Sequence, residues 1–173
     1  MQFYTAWKAI AEQRETEILA AWDNAQEYTS LIIRSENSII KSVSSALELH
    51  CYNRDYYSLD SVLYCDSDRA PVEQGNGLWL RDITVAFEHE NNFFSGLYQE
   101  VSHLLITNCV LRVLVTYPNT GELDELARLH EIISGNRSAT LISNLENFLI
   151  IFGYKSPYRW EGFVYKSESW KAI

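Results

Sequence analysis

The residues best placed to do chemistry are Glu88-His89-Glu90-Asn91, which follow directly on the apolar run Ile83–Phe87. That run is continuous and rich in β-branched residues, so it predicts a strand covered on both faces. Side chains alternate along a strand, which places Glu88 and Glu90 on one side and His89 on the other. Two carboxylates at the tip of a buried strand repel each other and are costly to desolvate. A divalent cation would offset both costs. The competing interpretation is a strand that ends at the surface with both acids hydrated.

A second acid completes this hypothesis. Asp60 lies in the first half of the predicted strand Tyr56–Cys65, and Glu88 ends the strand that follows it along the chain. If the two strands form an antiparallel hairpin, those ends lie together, and Asp60 meets Glu88 and Glu90. Two or three carboxylates, water and a main-chain carbonyl, for which His89 is the natural donor, would suit Mg²⁺ or Mn²⁺. Asp is also common in turns and at strand edges, so a purely structural role for Asp60 stays open.

The elements that must position these residues can be read from periodicity. The first 50 residues are predicted to be helical, with a helix over Ser30–Leu49 that breaks or is capped at Ser35 or Asn37. A polar loop, Asp66–Gly77, joins the strand carrying Asp60 to the central strand. The remaining predicted elements are a helix over Gly96–Thr107 capped by Ser95, a strand over Cys109–Tyr117, a helix over Gly121–Ser134, and strands over Asn147–Tyr154 and Trp160–Lys166.

These elements predict one α/β domain with a mixed central sheet flanked by helices. Residues 1–50 form the helical N-terminal part, residues 56–117 the sheet core with the acidic site, and residues 118–173 a helix and the closing strands. A right-handed crossover through Gly96–Thr107 should make the strand Cys109–Tyr117 parallel to the central strand.

Composition bounds the class of protein. With 47% hydrophobic residues in 173, the chain has enough apolar material for a sizeable core. No apolar run reaches membrane-spanning length, and the N-terminus lacks the features of a secretory signal. The three cysteines, Cys51, Cys65 and Cys109, are widely spaced, which favours free thiols over a zinc site or disulfides. We therefore expect a cytoplasmic protein without a membrane partner.

The formal net charge of −9 argues against non-specific, high-affinity attraction to nucleic acid. It leaves room for a local basic surface and for acids that bind metal.

The central part of the chain resembles the PD-(D/E)XK, or restriction-endonuclease-like, nuclease superfamily. Leu59-Asp60 stands where that superfamily has Pro-Asp, and Glu88-His89-Glu90 stands where it has an acidic-x-Lys triplet. Glu36, in the preceding helical region, matches the extra helical glutamate of some members. Gln99 and Glu100 lie where other members carry auxiliary polar residues. The stretch from Val85 to Asn91, with the helix and strand that follow, also resembles an uncharacterised bacterial group with a Glu-His-Glu-Asn signature.

This resemblance implies a restriction-endonuclease-like fold and Mg²⁺- or Mn²⁺-dependent hydrolysis of phosphodiester bonds in DNA, with RNA as the less favoured substrate. Asp60 and Glu88 would hold the ion, and Glu90 would position or deprotonate the attacking water. The departure from the pattern is the missing lysine, whose place Glu90 takes. A glutamate can order water, but it cannot stabilise developing negative charge as lysine would. His103 is a candidate substitute.

The charge and the missing lysine also support an alternative from another class. An acidic chain with this fold but without the chemistry would serve as an interaction or regulatory protein that binds a protein partner or a second copy of itself.

Overall fold

The computed structural model describes residues 1–72, 77–93, 97–118 and 122–173. The helices are α1 (Gln2–Gln13), α2 (Glu15–Ala21), α3 (Ala25–Thr29), a π-helix (Ser30–Arg34), α4 (Ile39–Ala46), a 3₁₀ turn (Asp66–Asp68), α5 (Leu97–Ile106), α6 (Glu122–Ser134) and α7 (Ala139–Leu145). The strands are β1 (His50–Tyr52), β2 (Ser61–Tyr64), β3 (Val85–Glu90), β4 (Leu111–Thr116), β5 (Phe148–Lys155), β6 (Tyr158–Lys166) and β7 (Ser169–Ala172).

The described strands form one seven-stranded sheet in which spatial order follows chain order, β1 to β7. Strands β3, β4 and β5 are parallel, and every other neighbouring pair is antiparallel. The predicted hairpin between β2 and β3 and the parallel pairing of β3 with β4 are therefore confirmed. The sheet is an α/β structure with helices on both faces, as the sequence predicts.

Each face of the sheet is covered by its own apolar core. The first core joins α1 to α4 to one face and contains Trp7, Ile32, Ile33, Phe87 and Val115. The second joins α5, α6 and α7 to the other face and contains Val101, Leu104, Ala86, Leu114 and Ile150. Alternation along β3 sends Phe87 into the first core and Ala86 into the second. The two residues that follow, Glu88 and His89, continue this alternation.

The central strand extends beyond its apolar run. That run ends at Phe87, and β3 continues to Glu90 and pairs with β4 as far as Thr116, so the predicted strand end at Glu88-His89-Glu90 is confirmed. Glu88 and His89 are therefore buried members of the strand, with 1% and 8% of their surface exposed. The hydrogen-bond pairing of the two parallel strands thus extends past the last apolar residue of β3.

Two other predicted elements have different bounds. The strand predicted over Tyr56–Cys65 starts only at Ser61, because Tyr56 and Leu59 close a turn in which Asp55 accepts a hydrogen bond from the Ser58 backbone. The helix predicted over Ser30–Leu49 is divided between the π-helix and α4, with the predicted break at Ser35 confirmed. Glu36 lies in the turn between them rather than on a helix.

The sequence missed the short edge strands β1 and β7, which carry too few residues to show alternation. The predicted Ser95 cap, the start of its helix at Gly96, the helix start at Gly121 and residues 73–76 of the predicted polar loop lie outside the described residues. None of the described helices combines the length and apolarity needed to cross a lipid bilayer.

Candidate metal centre

Glu88 is the innermost acid of the candidate site. It lies on β3 opposite Leu114, on the face of the sheet that α5 covers. Its two carboxylate oxygens face different partners: Oε2 accepts a hydrogen bond from the Asp60 backbone N–H at 3.1 Å, and Oε1 lies 3.3 Å from Nδ1 of His103. A carboxylate buried to this degree is costly unless it is protonated or paired with positive charge.

Helix α5 supplies two further side chains whose atoms could ligate a metal ion. Glu100 and His103 are three residues apart and lie on the same side of the helix, and Nδ1 of His103 is 3.4 Å from Oε2 of Glu100. The apolar residues Leu97, Val101 and Leu104 hold α5 against the sheet, so both polar side chains are directed at β3. One donor atom from each of Glu88, Glu100 and His103 lies within 4.8 Å of the other two. These three residues are the candidate metal centre.

Asp60 lies beside this centre but is not one of the three residues. Ser61 pairs with Phe87 in the β2–β3 hairpin, which brings Asp60 next to Glu88 and His89 as the hairpin geometry predicts. Oδ2 of Asp60 accepts a hydrogen bond from the His89 backbone N–H at 3.0 Å. Its Oδ1 is 3.0 Å from Nη2 of Arg34, so the carboxylate is held by an ion pair.

Glu90 lies on the same face of β3 as Glu88 and nearer the solvent. It accepts a hydrogen bond from the Asn92 backbone N–H. In the parallel register its neighbour on β4 is Thr116, which is fully buried and lies on the same face as Leu114. The Thr116 hydroxyl has no hydrogen-bond partner among the residues that the structure describes, so a buried polar group next to the acids is left unsatisfied there.

The acids of this region raise one another's pKa values. Burial raises the pKa of Glu88 well above its usual range, and the nearby charges of Glu100 and Asp60 raise it further. Burial also raises the pKa of Asp60 and Glu90, and Glu100 contributes to both increases. The site therefore has an excess of negative charge that a cation would relieve.

The opposite face of β3 has a different character. His89 is enclosed by aromatic rings, and its Nε2 lies 2.9 Å from the hydroxyl oxygen of Tyr117. The rings of Tyr28 and Tyr117 have their centroids 5.9 Å and 5.4 Å from that of His89. Burial, and to a lesser extent the charge of Arg34, lowers the pKa of His89 to about 3. A neutral histidine held in this way is structural, which agrees with its position facing away from the acids.

The remaining residues named from the sequence are not gathered at the centre. Glu36 is exposed and pairs with Lys41 at 2.6 Å. Gln99 is exposed on α5, one residue before Glu100. Of the residues named as auxiliary, the structure brings Glu100 and His103 to Glu88 and leaves the other two outside.

Arg34 is the participant that sequence reasoning missed. It ends the apolar stretch Leu31-Ile32-Ile33 and is the last residue of the π-helix. A single cation directly after an apolar run was the available signal, but its partner Asp60 is 26 residues away and only the folded chain joins them.

Neither the protein-family models nor the curated proteins compared with this chain give a match.

Proposed function

We propose that this chain is a divalent-metal-dependent nuclease-like enzyme that hydrolyses phosphodiester bonds in DNA. The observation that carries the proposal is the convergence of Glu88, Glu100 and His103 on one side of β3, with donor atoms within 4.8 Å of one another. Asp60 and Glu90 flank this centre, and each of them has a pKa raised in part by Glu100.

The donor set fits a divalent ion. Two carboxylates supply hard oxygen donors, and His103 supplies one imidazole nitrogen. An ion that accepts both donor types, such as Mn²⁺, suits this set better than Mg²⁺, which prefers oxygen alone. The buried Glu88 carboxyl group and the unmet Thr116 hydroxyl both support a polar ligand at this place. This proposal keeps Glu88 as a predicted ligand and replaces Asp60 and the His89 carbonyl by Glu100 and His103.

A divalent ion held by these residues would polarise the phosphate group and lower the pKa of an attacking water. Glu90 lies at the solvent end of the strand, and burial raises the pKa of its carboxyl group above its usual range. It is therefore suited to accept a proton from that water. Asp60 is oriented by the His89 backbone N–H and Arg34, and it completes the acidic rim.

The order of elements supports the same assignment. A helix (α4), three antiparallel strands (β1 to β3), a crossover helix (α5) and a parallel strand (β4) follow one another, with Asp60 preceding the second strand and Glu88-His89-Glu90 ending the third. This is the arrangement in which the resemblance to PD-(D/E)XK nucleases places its acidic residues. The missing lysine remains the principal departure.

The test is cleavage of plasmid DNA, single-stranded DNA and RNA by purified protein with Mn²⁺ or Mg²⁺, alongside calorimetric titration of each ion. We expect Glu88→Gln and Asp60→Asn to remove cleavage, and Glu88→Gln to remove ion binding as well. Glu36→Gln is the matched control, because it neutralises an exposed acid paired with Lys41. Cleavage that persists in Glu88→Gln, or a protein that binds neither ion, would exclude the proposal.

The interaction-protein alternative is supported by a different observation. Arg34 already neutralises Asp60, and the raised pKa of Glu88 allows that group to be uncharged, so the site can exist without an ion. Together with the −9 net charge, this fits an acidic protein that binds a basic partner. Absence of ion binding and of cleavage, combined with salt-sensitive binding to a basic protein, would favour this alternative.

A further inference from the structure

Arg34 is fixed at the edge of the acidic site by an unusual local structure. It is the last residue of the π-helix, a rare helix type that is frequently found at functional sites. The side-chain amide of Asn53 donates to the backbone carbonyls of Ile33 and Arg34 at 2.8 and 3.2 Å. This amide ties the end of the π-helix to the segment that follows β1. The backbone at Arg34 is therefore held by these hydrogen bonds in addition to the ion pair of its side chain with Asp60.

The guanidinium group of Arg34 has unused hydrogen-bonding capacity. Its Nη2 lies 3.0 Å from Oδ1 of Asp60, while 42% of the side chain is exposed to solvent. Within the described part of the chain, this is the one hydrogen bond that the side chain makes. A guanidinium has five N–H donors in a planar fork, so donors remain for a second partner.

Charge balance indicates what that partner is. Four carboxylates, Asp60, Glu88, Glu90 and Glu100, lie close together, and the charge of Glu100 raises the pKa of each of the other three. Among the described residues, Arg34 is the only arginine or lysine that forms an ion pair with any of them. An anionic ligand that approaches these acids is repelled unless a permanent cation stands beside it.

We propose that Arg34 is the phosphate-binding residue of this site, and that it donates to a non-bridging oxygen of the phosphate group in the nucleic-acid backbone. The proposal rests on the proposed function, which supplies the phosphodiester as the ligand. Guanidinium groups bind phosphate through two parallel N–H···O bonds, which an ammonium group cannot reproduce. Arg34 thus supplies the positive charge that Glu90 cannot provide from the end of β3.

The test is binding of a fluorescently labelled DNA duplex, measured by anisotropy as a function of salt, in EDTA and again in Ca²⁺. In EDTA binding is measured apart from metal-dependent cleavage. We expect Arg34→Ala to weaken binding about tenfold or more, because it removes a charge-assisted contact. The salt dependence should also fall by about one unit of slope, corresponding to one lost phosphate contact. Arg34→Lys should recover only part of the loss.

Arg54 provides the matched control, because it is an exposed arginine on the segment that also carries Asn53. We expect Arg54→Ala to bind DNA within about twofold of the unchanged protein, as is usual for an exposed side chain without a specific contact. Arg34→Ala also leaves Asp60 unpaired, so the double variant Asp60→Asn/Arg34→Ala is compared with Asp60→Asn. The double variant should bind DNA about tenfold more weakly than Asp60→Asn does.

The two proposals fail in distinguishable ways. If the unchanged protein cleaves DNA and Arg34→Ala binds DNA equally well with an unaltered salt slope, Arg34 is only the partner of Asp60 and this inference is overturned. If the unchanged protein binds DNA through Arg34 but cleaves none, the inference stands and the proposed hydrolysis fails. A protein that binds no duplex in either buffer overturns the role of Arg34 outright.

Discussion

Glu88 and His89 are neighbours on β3, both are buried, and they occupy opposite faces of the sheet. Glu88 faces α5, where Glu100 and His103 are about one quarter exposed or less and form a path from the buried acid toward solvent. His89 faces Tyr28 and Tyr117, which enclose it in aromatic rings. The two faces thus give two buried ionisable groups different surroundings.

The difference shows that burial of an ionisable residue does not by itself define a functional site. The ring of His89 is hydrogen-bonded to the Tyr117 hydroxyl through Nε2, and it is neutral because burial lowers its pKa to about 3. The surroundings of Glu88 add further negative charge to a group that is already costly to ionise. Of these two faces, the one that carries Glu88 has the excess negative charge that a bound cation would offset.

The largest expected effect comes from removing the charge of Glu88 while keeping its shape. Glu88→Gln should weaken Mn²⁺ binding about 100-fold or more, since loss of an outer-shell partner alone costs about 10–100-fold. The metal-free variant should be more stable than the unchanged protein at pH 8, by about 1–4 kcal/mol, because the amide needs neither a buried negative charge nor the uptake of a proton on folding. Calorimetric titration and urea unfolding in EDTA measure the two effects. If Glu88→Gln is less stable than the unchanged protein and binds Mn²⁺ normally, Glu88 has a structural role like that of His89 and is not a metal ligand.

His89→Ala should have the opposite profile. Removing a buried ring and the partner of the Tyr117 hydroxyl should reduce the free energy of unfolding by about 2–4 kcal/mol. Affinity for Mn²⁺ should stay within about twofold of the unchanged protein, as expected for a side chain directed away from the ligands. Urea unfolding and metal titration on the same preparation check both statements. Loss of metal binding in a protein that remains folded would show that the two faces are coupled.

The sequence predicted much of this contrast. Continuous apolar character identified β3, strand alternation separated Glu88 from His89, and hairpin geometry brought Asp60 to Glu88. Glu100 and His103 were named only as auxiliary residues. The periodicity of α5 shows which side of the helix is apolar, but it does not show which polar side chains at the border of that side reach β3. Arg34 was missed because its pairing with Asp60 is a long-range contact. Alternation along a strand determines on which face of the sheet a side chain lies. The residue that it contacts on the neighbouring helix depends on how the helix and the sheet pack together.

The two faces should also respond oppositely to pH in the metal-free protein. The folded pKa of Glu88 is raised, so its stabilising contribution is complete below the unfolded value of about 4.3 and is lost as pH rises toward the folded value. The folded pKa of His89 is lowered to about 3, so its contribution is complete above the unfolded value of about 6.5 and is lost as pH falls.

Urea unfolding in EDTA between pH 4 and 8 separates these two contributions. Relative to the unchanged protein, Glu88→Gln should become progressively more stable as pH rises, and His89→Phe should become progressively more stable as pH falls below about 6.5. Each difference should change by at most about 1.4 kcal/mol per pH unit. Parallel curves for the unchanged protein and either variant would mean that the residue concerned does not titrate between its folded and unfolded states.

The smallest effect we predict compares the two histidines, His103 and His89. His103 is partly exposed and lies 3.3 Å from Glu88 and 3.4 Å from Glu100, so it can donate a nitrogen to a metal ion. His103→Gln replaces that nitrogen by an amide group, and it should lower Mn²⁺ affinity about tenfold while changing Mg²⁺ affinity little, because Mg²⁺ gains little from imidazole. The ratio of the two affinities, obtained by calorimetry, is therefore the informative quantity. His89→Phe should leave that ratio unchanged, since its ring is directed at Tyr117 on the other face. Equal loss of both ions in His103→Gln would mean that His103 acts by orienting the glutamates, and that the donor set of this centre is oxygen alone.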